Sequence, residues 1–262
     1  MLHLDQQCLD DILFERGKGS LYKDLNEVIT DIPKLVLCHG TPYWPERFTD
    51  YELCSKMKKI VGKNHLLVNS YTARLQWAYG LKNTVIIKEQ FKSKYKNVTK
   101  KEIIEALDMQ CLGVDLDKIT TIWHGIDENE YPVLRKDPRV ITMISSAGLD
   151  RYYDRNLLSA VKEELAERNI AHCHITVDVK FKDFKEYSTF LGSSLIYFNP
   201  TRESCMPRAR TEAMLSGACV LTTKYQDADS FIENGVNGFI IPQNPEKVIN
   251  LINDGVLRYM WK

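Results

Sequence analysis

Ser194–Pro242 reads SLIYFNPTRESCMPRARTEAMLSGACVLTTKYQDADSFIENGVNGFIIP, and its punctuation decides the fold. Ser194–Phe198 is a short apolar run that stops before Pro200, so it reads as a strand closed by a loop, Thr201–Met206. Pro207 then opens a helical stretch to Ser216, because proline suits the first helical position. Ala218–Thr222 is a second strand, Asp227–Glu233 a second helix and Gly238–Ile241 a third strand. The strands lack clean polar–apolar alternation, as expected of strands buried on both faces of a parallel sheet. Strand and helix in strict alternation predict an α/β domain.

The same stretch carries candidate chemistry. The loop leads directly into a helix N-terminus, where free N–H groups and the positive end of the helix suit a phosphate. Arg202, Arg208 and Arg210 add fork-shaped donors for phosphate oxygens. Glu212 lies about one turn inside the helix, where a carboxylate can accept two hydrogen bonds from neighbouring hydroxyls such as a ribose diol. Spacing alone allows an equally plain reading, in which Arg and Glu form surface ion pairs on an ordinary helix.

Outward from this stretch the alternation continues. Strands are expected at Lys34–Cys38, His65–Asn69, Lys118–Trp123, Arg139–Ser145 and His172–Asp178. Helices are expected at Leu21–Ile29, Lys101–Gln110, Asp154–Arg168 and Pro245–Asp254, the last with Asn244 as its N-cap. Residues 128–138 are polar and hold Pro132 and Pro138, which marks a boundary. The expected division is 1–137 as an N-terminal Rossmann-like domain and 138–262 as a C-terminal one. Ligands in such a pair are expected in the cleft beyond the C-terminal strand ends.

Composition narrows the function classes. The chain has 262 residues, 35 Lys+Arg and 35 Asp+Glu. The balance is uneven along the chain: residues 1–55 carry 5 basic against 10 acidic side chains, 56–101 carry 12 against 1, and 102–137 carry 3 against 9. Two readings stay open for the basic stretch: a solvated surface balancing its acidic flanks, or a face turned to an anionic acceptor or membrane surface. No nucleic-acid-binding module accompanies the charge, so no nucleic acid is expected. No apolar run exceeds four residues, far below the roughly 20 a spanning helix needs. Seven cysteines without a C-x-x-C pair argue against a disulfide framework and suit a reducing cytosol. His172 and His174 share a strand face with no acid or Cys at ligand spacing, so no metal site is read.

Glu212-Ala213-Met214, then Ser216-Gly217, the strand Cys219–Thr222 and Gly235-Val236-Asn237-Gly238 before Phe239-Ile240-Ile241 resemble the C-terminal half of the retaining family 4 glycosyltransferases (glycosyl transferases group 1), which have the GT-B fold. In that family a strand ending in Pro-Ser precedes a Glu, a Gly-aromatic-Gly and a second Glu eight residues after the first. Three weaker matches follow in the family's order. Lys34–Gly40 resembles the strand that delivers a histidine, here His39, to the donor sugar. Leu66–Ser70 resembles a later strand with small polar ends, and Thr121–Asp127 the interdomain signature. The chain departs from the pattern where the first Glu is expected: eight residues before Glu212 stands Ser204, with Glu203 beside it. The Gly-aromatic-Gly positions are Cys205, Met206 and Pro207, and the last has no N–H to offer a phosphate. Arg151 and Arg155 stand four apart where the family has an Arg and a Lys five apart. The first domain is shorter than the family's, and its opening strand is not recognisable in 1–30.

The resemblance implies a two-domain GT-B fold and a transferase that moves a sugar from a nucleotide-diphosphate sugar to the hydroxyl of a glycan, lipid-linked or protein acceptor. It further implies retention of anomeric configuration and no cofactor or metal. His39 and Glu203 or Ser204 would position the sugar, Glu212 would hold the ribose, and Arg151, Arg155, Cys205, Met206 and Arg208 would hold the diphosphate. A cytoplasmic protein is expected, peripheral at the inner membrane face if the basic stretch binds lipid. The departures keep two alternatives open: a non-catalytic binding or partner subunit, and a nucleotide-sugar epimerase on the same fold.

Overall fold

The computed structural model describes residues 2–5, 34–38, 64–71, 73–74, 116–123, 125–144, 153–176, 179–202, 208–224 and 228–260. Contacts divide the chain into two units, Met1–Trp123 and His124–Lys262. The expected helices at 21–29 and 101–110 lie outside the described residues.

The first unit holds a parallel sheet of β1 (Leu2–Asp5), β2 (Lys34–Cys38), β3 (His65–Val68) and β4 (Ile119–Thr121), side by side in chain order. β1 is a strand that the sequence reading did not find. Four residues cannot show a period, and β1 is defined by its register on β2, Leu2 opposite Lys34 through Asp5 opposite Leu37. Leu66, Val68 and Ile119 are buried. The buried Ser70 caps the turn after β3, its Oγ accepting from the Ala73 N–H at 3.0 Å.

The second unit is a five-stranded parallel sheet of β5 (Asp137–Met143), β6 (Ala171–Ile175), β7 (Ser194–Asn199), β8 (Cys219–Thr223) and β9 (Gly238–Ile241), in the order β6-β5-β7-β8-β9. Five helices connect it: α1 (Arg155–Glu167), α2 (Phe184–Ser193), α3 (Arg208–Leu215), α4 (Ala228–Phe231) and α5 (Pro245–Met260). Successive strand residues point to opposite faces and so build two cores. Val140, Ile196, Phe198 and Leu221 pack with Leu157, Val161 and Leu165 of α1 and Val248, Ile249 and Ile252 of α5. Ile141, Tyr197 and Val220 pack on the other face with Leu191 of α2, Ala213 of α3 and Tyr131. The register between β5 and β7 shifts between Asp137 and Val140, where Pro138 has no N–H for the ladder.

Helix ends follow the local signals. Asp154 caps α1 by accepting from the Leu157 N–H at 3.0 Å, and Asn244 caps α5 by accepting from Lys247 at 3.1 Å. α3 ends in Gly217 at φ 73°, with Gly217 N–H bonded to Met214 O and Ala218 N–H to Ala213 O. That left-handed cap is the physical content of the Ser216-Gly217 pair. α2 is a second element the sequence reading did not find. Ser, Thr, Gly and aromatic residues weaken its propensity, and its signal was the cap: Asp183 accepts from Glu186 N–H at 2.8 Å.

The unit boundary lies between Trp123 and His124, ahead of the 137/138 division expected from composition. The intervening residues are built into the second unit. Leu134 N–H donates to Gly192 O at 3.2 Å. Lys136 Nζ donates to Gly192 O at 2.7 Å and Ser216 O at 2.5 Å, the carbonyls that end α2 and α3. A cation at two helix C-termini satisfies orphan carbonyls and meets both dipoles.

Candidate functional site

The strand order places a topological switch between β5 and β7: the chain leaves β5 toward β6 on one side and continues from β7 to β8 and β9 on the other. Crevices form beyond the carboxyl ends of strands at such a point. Pro200, Thr201 and Arg202 follow β7 there, and Tyr153 and Asp154 precede α1. They are tied together. Tyr153 bridges Thr201, Asp154 N–H donates to Pro200 O at 2.8 Å, and Arg202 Nη2 pairs with Asp154 Oδ1 at 3.1 Å. Asp154 thus caps α1 and anchors Arg202 with one carboxyl oxygen. Arg155 is the exposed first residue of α1.

Glu212, on α3, is 5% exposed and sits in a cluster of donors. Its Oε1 accepts from Arg208 Nε at 2.7 Å and from Tyr131 Oη at 3.0 Å, and its Oε2 accepts from Tyr187 Oη. Tyr131 comes from the segment before β5 and Tyr187 from α2, so three separate elements converge on one carboxylate. Burial, and then the bond to Glu212, push the Tyr187 hydroxyl far above its ordinary range and raise that of Tyr131. Both stay neutral donors at any working pH. Phe184 packs edge-on against Tyr131 at 5.6 Å and tilted against Tyr187 at 5.9 Å, and Phe181 meets Tyr187 at 5.4 Å. These rings fix the phenols and so the carboxylate.

The structure therefore brings together Glu212 and Arg208 of the expected donor-binding set. His39, Arg151, Glu203, Ser204, Cys205 and Met206 lie outside the described residues, as does Pro207. Arg210 is fully buried, with its guanidinium 5.4 Å from the centre of the Phe231 ring, so it is not a surface donor. Tyr131 and Tyr187 were not foreseen. Tyr131 is far from Glu212 in sequence, and Tyr187 rides on the helix that propensity obscured. Among the described residues no group of three His, Cys, Asp or Glu stands together to hold a metal, and no helix is long and apolar enough to cross a membrane.

Comparison with known proteins bears on the segment and the fold. Residues 145–255 match the family described as glycosyl transferases group 1. No curated protein sequence matches the chain. Among solved structures it is similar to a sucrose-phosphate synthase from Thermosynechococcus elongatus, with TM-score 0.53 and 13% identity, over 92% of this chain and 63% of that one. It is similar to Anabaena HepE, with TM-score 0.50 and 13% identity, over 97% of this chain and 89% of that one. Similarity to S. aureus TarM has TM-score 0.47 and 15% identity over 91% of this chain, which spans 51% of TarM. Residues 145–255 thus match the group 1 glycosyl transferase family, and the chain has an α/β fold of parallel sheets like that of GT-B glycosyltransferases.

Proposed function

We propose that this chain transfers a sugar from a nucleotide-diphosphate donor to an acceptor hydroxyl, with retention and without a metal. The observation that carries the reading is the pinned Glu212 carboxylate, one turn inside the helix that follows β7, within the family-matched segment. Glu212 holds the ribose. His39 and Glu203 or Ser204 position the sugar, and Arg151, Arg155, Cys205, Met206 and Arg208 face the diphosphate. The bond from the anomeric carbon to the phosphate oxygen breaks, and the bond to the acceptor oxygen forms. The acceptor proton passes to the departing phosphate oxygen. Arginines and helix N–H groups stabilise the charge that develops there, the largest single contribution in such sites. HepE is seen with UDP and glucose, which makes UDP the first donor base to test. The acceptor is a glycan, lipid-linked or protein hydroxyl, and the basic stretch 56–101 supplies the charge for an anionic acceptor or membrane surface.

Calorimetry with UDP, GDP and ADP tests the donor site. Glu212→Ala removes the carboxylate's bonds to the ligand, and a net gain of one charge-assisted bond is worth about 1.5–3 kcal/mol, so affinity falls at least about tenfold. Glu212→Gln, which keeps the shape, gives a smaller loss in the same direction. Unchanged affinity in both variants, with normal melting curves, refutes the assignment.

A further inference from the structure

The Glu212 carboxylate is nearly saturated before any ligand arrives. Each carboxylate oxygen offers two lone pairs. Oε1 already accepts from Tyr131 Oη at 3.0 Å and Arg208 Nε at 2.7 Å, so it is full. Oε2 accepts from Tyr187 Oη and keeps one place. A vicinal diol grips a carboxylate with one hydroxyl on each oxygen, so one donor must leave Oε1. Tyr131 is 3% exposed and packed edge-on against Phe184. The Arg208 side chain is 65% exposed. Arg208 makes the shorter, charge-assisted bond, yet it is the donor whose head group reaches solvent. It stands four residues before Glu212, the less favourable order for an i,i+4 pair, in the first turn of α3, where the helix's positive end opposes a cation. The guanidinium is rehydrated when it leaves, whereas the carboxylate is buried and needs another donor in its place, which the diol supplies.

We propose that Arg208 is an exchangeable cap on Glu212. It occupies the carboxylate until a ligand diol takes its place on Oε1, and the freed guanidinium then faces the anionic part of the same ligand. Tyr131 and Tyr187 are positioning residues that hold the carboxylate plane while this exchange happens. The proposal rests on Glu212 as the diol-binding group and adds how that group is opened. It also supplies a specificity device: an anion without a diol gains nothing from Glu212, and a diol without an anion leaves the displaced guanidinium unpaired.

The experiment is calorimetry of wild type, Arg208→Ala and Glu212→Gln with UDP, GDP and ADP and with the 2′-deoxy and 3′-deoxy forms of whichever binds. Discrimination between ribo and deoxy forms is the readout, because a general loss of structure weakens both alike. In Arg208→Ala the diol no longer displaces a donor, so the ribo/deoxy affinity ratio rises at least about threefold for one of the two deoxy forms, while absolute diphosphate affinity falls. In Glu212→Gln the ratio drops toward one. A ratio unchanged in Arg208→Ala, alongside a ratio lowered in Glu212→Gln, overturns the exchange and leaves the donor site standing. No binding of any diphosphate by wild type overturns both.

Discussion

Histidine 172 shows how one side chain's surroundings become a property of the whole fold. It lies on β6 with Nε2 3.1 Å from Thr142 Oγ1 of β5. Burial first, then Lys162 on α1 and the neighbouring His174, push its pKa from 6.5 down to about 4. His174 shifts the same way, mainly by burial. Between pH 6.5 and 4 the unfolded chain therefore binds protons that the folded chain does not. Stability is fully present above pH 6.5 and drains as pH falls toward 4, by at most about 1.4 kcal/mol per pH unit for this residue. Urea midpoints measured across that window should fall steadily on acidification, and His172→Gln should flatten the decline. An equally steep decline in the variant would assign the effect elsewhere.

At the scale of elements, the helix hidden from propensity is the one that builds the site. α2 carries Tyr187 to Glu212, and its last turn is clamped by the segment before β5. A Cβ placed on Gly192 would stand 2.3 Å from Pro132 O, a backbone atom that cannot move aside cheaply. Lys136, whose pKa is lowered by burial, caps the same turn. Gly192→Ala should therefore destabilise the protein by about 1–3 kcal/mol, as overpacking does, and lower its melting temperature. It should also weaken nucleotide binding, because Tyr187 moves with α2. A variant as stable as wild type would show that the contact yields. Glu212 was legible because its helix follows a strand within a recognisable run. Its tyrosine partners were not, because hydrogen bonds between distant segments leave no local period.

For the molecule as two units, the boundary is itself a prediction. Residues 124–262, which include Tyr131, Leu134 and Lys136, should fold alone with a cooperative melt. Residues 138–262 lack the buried Tyr131 and the Lys136 cap, and should be less stable by at least about 3 kcal/mol. Equal stability of the two fragments would return the boundary to 137/138. The zero net charge of the chain hides the basic stretch 56–101, with 12 Lys+Arg against 1 Asp+Glu. If it faces a membrane, cosedimentation with phosphatidylserine vesicles should exceed that with neutral vesicles and fade with salt. Equal binding, or none, would leave the stretch as a solvated surface.

The sequence by itself determined the α/β class, most strands of both sheets, the cap at Asn244, and Glu212 and Arg208 as candidates. These are local matters of apolar runs, proline and glycine positions, and short spacings along one helix. Tertiary structure alone decided β1, whose four residues are a strand only by pairing with β2. It alone joined residues 124–136 to the second unit, through bonds to helix ends far along the chain. It also decided that Glu212 is held by Tyr131 and Tyr187 as well as Arg208, because a buried carboxylate takes its donors from whatever elements the fold brings within reach.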